Sequence, residues 1–81
     1  MKFSEKLFQL RKKAGMSQEE LAEQLEVSRQ AISRWEIGTA MPDAPNLLRI
    51  STVFGISVDY LLHDSYQRAR RTDAEPITRR Q

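Results

Sequence analysis

Apolar residues recur along this chain at helical spacing, and short hydroxyl or acidic residues stand where each run begins. Phe3, Leu7, Leu10 and Ala14 follow in alternating steps of four and three, which predicts a first helix over about Lys2 to Lys13, ended by Gly15. Ser17 opens a second helix, and Glu20 completes a Ser-x-x-Glu capping box whose side chains satisfy free backbone donors. In that helix Leu21, Ala22 and Leu25 share one face, while Glu19, Glu23 and Gln24 point elsewhere. Ser28 repeats the capping signal and starts a third helix, about Arg29 to Ile37. At about 100° per residue, Ala31, Ile32 and Trp35 fall together, with Gln30, Ser33, Arg34 and Ile37 opposite and Arg29 at the flank. Thr39 to Asp43 reads as a loop. Asp43 caps a fourth helix, Pro45 sits in its first turn where a missing donor does no harm, and Leu47, Ile50, Ser51 and Phe54 form its inner face. Gly55 stops it, and Ser57 caps a short fifth helix carrying Val58, Leu61 and Leu62. The pattern predicts an all-α fold of five helices around one small core.

The outer face of the third helix is a row of hydrogen-bonding groups. Arginine presents a donor fork that fits guanine O6 and N7, glutamine pairs with adenine N6 and N7, and serine serves either base. Alone, such a row reads as a solvated helix face. Set after two caps and a tight turn, and flanked by three other helices, Arg29, Gln30, Ser33 and Arg34 read as base contacts in a DNA major groove. Trp35 lies on the Ile32 side, which favours core packing over base stacking. Ile37 is apolar yet faces outward, toward a thymine methyl or a partner subunit; the sequence does not choose between them.

The stretch Ser17 to Gly38 resembles the helix-turn-helix of the phage repressor and Cro type, also called the xenobiotic response element family. Gln18, Ala22, Val27, Ser28, Ile32, Trp35, Glu36 and Gly38 sit where that pattern puts them, and the match runs from about Phe3 to Leu62. The resemblance implies a lambda-repressor-like five-helix domain that binds double-stranded operator DNA and regulates transcription. It implies a homodimer on half-sites about 34 Å apart, one turn of duplex. The dimer surface expected from it is the loop between the fourth and fifth helices with Tyr60 to Tyr66. Gln18 is an ordinary first-turn residue on its own; the resemblance makes it a phosphate contact at a helix N-terminus, beside Ser17. Gly38 and Thr39 would offer backbone and hydroxyl donors to phosphate. The resemblance also pairs Arg11 with Glu36 as a structural ion pair tying the first helix to the third. Two positions depart from the pattern. Thr39 lies near a place often basic in the family, and Glu26 occupies a turn where the family has glycine, because the backbone there is left-handed.

Composition narrows the function further. With 81 residues the chain holds one domain, 1–62, followed by an Arg-rich tail, 63–81. The net charge of +2 comes wholly from the tail: residues 1–62 balance Lys2, Lys6, Arg11, Lys12, Lys13, Arg29, Arg34 and Arg49 against eight carboxylates. DNA binding must therefore rest on where the charges sit. Lys2, Lys6, Lys12 and Lys13 are expected to solvate the first helix. Val58, Leu61, Leu62, Tyr66 and Ala69 keep a helical spacing, so the fifth helix either runs on to about Arg71 and packs on a second subunit or gives way to a solvated tail; a tail reaching DNA backbone is the third reading. No cysteines, no membrane-length apolar run and no leader occur, and a cytoplasmic protein is expected. His63 is the only histidine, and its spacing from Asp59 makes a poor metal site; no enzyme, cofactor or metal is expected. The competing reading is a protein-interaction module of the antitoxin or phage-adaptor type, with weak or no DNA binding of its own.

Overall fold

The computed structural model describes residues 1–63; the expectations for residues 64–81, including Tyr66 and the extension to Arg71, lie outside them. Five helices follow in order: α1 (Phe3–Lys13), α2 (Gln18–Leu25), α3 (Arg29–Ile37), α4 (Ala44–Phe54) and α5 (Val58–Leu61). Their starts are set by side chains. Ser17, Ser28, Asp43 and Ser57 each accept a hydrogen bond from the backbone N–H three residues on. The Ser17–Glu20 box is reciprocal, with the Ser17 amide donating to Glu20 Oε1 at 2.8 Å. Lys2 takes the N-cap position of α1 rather than its first helical residue, and its amide donates to Glu5 Oε1 at 3.1 Å.

α1 packs on α3 and α5, α2 packs on α3 and α4, and α4 packs on α5. The core that results contains Phe3, Leu7, Leu21, Ala22, Leu25, Ile32, Trp35, Ile50 and Leu61, with Leu10, Leu47 and Phe54 packed against it. Trp35 is thus a core residue, 6% exposed. Between α2 and α3 the chain reverses at Glu26, whose φ of 59° and ψ of 44° are left-handed. Its amide donates to Glu23 O at 3.2 Å and that of Val27 to Ala22 O at 3.0 Å, which closes α2. Arg49 reaches across from α4 and donates to Leu25 O at 3.2 Å, satisfying a carbonyl of the same helix end.

Two expectations for α1 are corrected. Ala14 does not extend the apolar stripe: the helix closes at Lys13, and Ala14 is its exposed C-cap. Lys6 does not solvate the helix. It shares the stripe of Phe3 and Leu10, is only 6% exposed, and donates from Nζ to the Tyr60 carbonyl at 2.5 Å with the Tyr60 ring centre 4.7 Å away. A flexible stem buries its methylenes while the charged head finds a carbonyl and a ring face.

Candidate nucleic-acid interface

The two helices joined at Glu26 present one composite surface. On α3, Ile32 and Trp35 turn inward, Arg29, Gln30, Arg34 and Ile37 are exposed, and Ser33 is half-buried. The structure therefore brings four of the five outward positions to solvent, and Ser33 to the edge of the row. Ile37 is the most exposed of these apolar groups at 70%, with Met41 beyond it at 56%.

Beside this row stands the N-terminus of α2, the end of a helix where backbone N–H groups lack intrahelical partners. Arg11, Lys12, Gln18 and Arg29 line an open groove there, together with Gly15, Met16, Ser17, Glu19 and Glu20. Ser17 Oγ accepts from the Glu20 amide, so its hydroxyl proton points to no partner that capping requires. Glu19 and Glu20 moderate the field of the cations at the same mouth.

Beneath the groove a carboxylate ties three helices together. Arg11 Nε and Nη2 donate to both oxygens of Glu36 at 2.6 and 3.1 Å, and Nη1 donates to Met16 O at 2.8 Å. The side chains of the pair are 9% and 5% exposed. A planar guanidinium matched to both carboxylate oxygens is the geometry in which a buried pair offsets its desolvation. Gln18 joins it, donating from Nε2 to Glu36 Oε1 at 3.0 Å, and its Oε1 accepts from Arg29 Nη1 at 3.2 Å. Gln18 is therefore engaged on both ends of its amide, an arrangement that sequence spacing does not reveal.

At the far end of α3 the expected phosphate donors are already occupied. The amides of Gly38 and Thr39 both donate to Arg34 O, at 2.9 and 3.0 Å, and Thr39 Oγ1 approaches the same oxygen at 3.4 Å. Gly38 is needed for its backbone, since φ is 96°. The hydroxyl, on a long bond to a carbonyl that already has two donors, is the freest of these groups. Lys12 lies over the exposed Phe8 ring, 5.9 Å from its centre, on the groove side of α1.

Comparison with known proteins places this geometry. The family described as "Helix-turn-helix" matches residues 7–61. The transcriptional activator BcrR of Enterococcus faecalis is 52% identical over 62 residues, 76% of this chain but 30% of BcrR. The transcriptional regulator ImmR of Bacillus subtilis is 35% identical over 74 residues, 90% of this chain and 58% of ImmR. The chain thus spans less than two thirds of these relatives. Among solved structures, the P22 c2 repressor in complex with a synthetic operator superposes with a TM-score of 0.74 at 37% identity, covering 76% of this chain and 94% of that one. A chain of the SinR/SinI protein complex gives 0.69 at 26% identity, covering 95% of this chain and 84% of that one. With a family match across all five helices and a repressor domain of the same shape, the chain belongs to the helix-turn-helix family of the repressor and Cro type.

Proposed function

We propose that this chain is a sequence-specific double-stranded DNA-binding transcription regulator that lays α3 in the major groove as a homodimer. One observation carries the reading: an exposed row of Arg29, Gln30 and Arg34, set beside the open N-terminus of α2, on a scaffold similar to a repressor solved on its operator. In it Arg29, Gln30 and Arg34 contact base edges, and Ser33 contributes from the margin of the row. Ser17 and Gln18 meet phosphate at the α2 N-terminus, and Thr39 meets it through its hydroxyl on the turn that Gly38 permits. Exposed Tyr60, the rest of α5 and the loop before it form the dimer surface. The named relatives are a transcriptional activator and a transcriptional regulator, and no helix among the described residues is long and apolar enough to cross a membrane.

A second reading, a protein-interaction module of antitoxin or phage-adaptor type, draws on the likeness to a chain of the SinR/SinI complex. Selection of bound sequences from a random duplex pool, at roughly 0.1 M salt, separates the two. The regulator reading expects a two-fold symmetric motif with half-sites about 10 base pairs apart, altered at one position by Arg34→Ala. Salt-sensitive binding with no enriched motif would remove it in favour of the interaction module.

A further inference from the structure

One ammonium holds both the backbone and the ring of Tyr60. Lys6 Nζ donates to the Tyr60 carbonyl at 2.5 Å and lies over the ring of the same residue, 4.7 Å from its centre. A surface tyrosine turns among staggered χ1 wells, and a cation shared between its carbonyl and its ring favours the well that keeps the ring over Nζ. The side chain is thereby set in one direction. Its backbone is fixed as well, because α5 is a single turn started by the Ser57 cap and anchored in the core by Leu61. Lys6 is 6% exposed and Tyr60 51%, so the cation works from inside the fold and much of the ring stays open to a partner.

We propose that Lys6 is a positioning residue for self-association, holding the Tyr60 ring ready for the same surface of a second copy of the chain. This rests on the reading of Tyr60 and α5 as the dimer surface. Tyrosine gives an interface a large contact area, and fixing its ring in advance removes an ordering cost from association. In a two-fold dimer the same patch is used twice, so loss of that order counts twice. The burial of Nζ matters for the same reason. An exposed lysine near a two-fold axis faces its own copy and repels it, whereas this cation lies beneath the ring it orients. Further along the same helix Arg11 holds Glu36 of α3, so α1 connects the pairing surface to the reading row.

The test is sedimentation equilibrium of the full chain with wild type, Lys6→Met, Lys6→Arg, Tyr60→Leu and the Lys6→Met/Tyr60→Leu double variant, each checked for its melting temperature. Methionine keeps the buried stem and removes the charge and the hydrogen bond, while arginine offers both a donor and a cation for the ring. Expected is a roughly fivefold or greater rise in the dimer dissociation constant for Lys6→Met, with less than about twofold for Lys6→Arg. The double variant should pair no more weakly than Tyr60→Leu alone. Wild-type pairing by Lys6→Met, where Tyr60→Leu pairs weakly, overturns the proposal and leaves Lys6 a clip between α1 and α5. So does a Lys6→Arg chain as weak as Lys6→Met, or a double variant that adds the full Lys6→Met loss to that of Tyr60→Leu, since Lys6 would then act through α5 and not through the ring. Wild-type pairing by Tyr60→Leu, or a wild type that stays monomeric at every concentration, removes instead the dimer-surface reading beneath the proposal. Should Lys6→Met not fold, Lys6→Gln takes its place with a neutral donor and no cation for the ring: weakened pairing is expected, and wild-type pairing overturns the proposal.

Discussion

α1 carries two buried cations, and they are held in opposite ways. Arg11 lies against a carboxylate that matches its fork and joins α1 to α3 and to the N-terminus of α2. Lys6 rests instead on a carbonyl and a ring of α5. The first charge is neutralised where the candidate reading surface is built. The second remains a partly compensated cation at the other edge of the helix, and burial holds it below the ordinary lysine range. Two residues of similar burial therefore carry different duties: Arg11 ties the helices that carry the candidate interface, and Lys6 clips α5 to α1.

The largest expected difference follows from removing each cation in turn. Arg11→Met leaves Glu36 charged, buried and facing Gln18 alone, and should destabilise the domain by about 3–5 kcal/mol. Lys6→Met strands no charge, because its partners are a neutral backbone carbonyl and a ring face, and should cost about 1 kcal/mol or less. Thermal unfolding followed by circular dichroism measures both. Equal losses in the two variants would erase the distinction drawn between the pairs.

That distinction was only half legible in the residues. Caps at Ser17, Ser28, Asp43 and Ser57 are local features, each needing only its own helix turn, and periodicity was enough to place Leu21, Leu25, Ile32, Trp35, Ile50 and Leu61 inside. Lys6 occupies the apolar stripe by spacing, but its residue type argues for solvent, and only the position of α5 reveals the carbonyl that holds it. Glu36 and Arg11 stand 25 residues apart, so their pairing came from the family resemblance and from no spacing rule. The bonds from Gln18 to Glu36 and Arg29 depend on how three helices meet. So does the loss of free amides at Gly38 and Thr39, whose donors turn back onto Arg34.

At the opposite end of α2 from Arg11 the fold carries a backbone cost. Glu26, the one non-glycine residue at positive φ among those described, holds the turn between α2 and α3 at 59°. A side chain in the left-handed region costs roughly 1–2 kcal/mol, and glycine returns part of that through the unfolded chain. Glu26→Gly should therefore raise stability by about 1 kcal/mol, read as a higher midpoint of urea unfolding at unchanged slope. Combined with Arg11→Met it should add independently, since the Glu26 side chain is exposed and shares no hydrogen bond with the ion pair. A lowered midpoint would mean that the turn gains from its carboxylate more than it loses in its backbone.

The smallest effect separates the two cations by pH. Desolvation lowers the Lys6 pKa from its ordinary 10.5 in the folded protein, so between the lowered value and 10.5 the unfolded chain binds more protons. Stability must then rise with pH across that window: below it the buried charge weighs in full against folding, and above it lysine is neutral in both states. Other groups titrate nearby, and the comparison with Lys6→Met cancels them. Wild type should gain stability relative to Lys6→Met as pH climbs from about 8 to about 10, followed by unfolding midpoints at fixed salt. A constant gap would mean that the Tyr60 carbonyl and ring fully replace the water Lys6 gives up. A gap moving the other way would mean that they do more, which would make Lys6 the equal of Arg11 with no carboxylate at all.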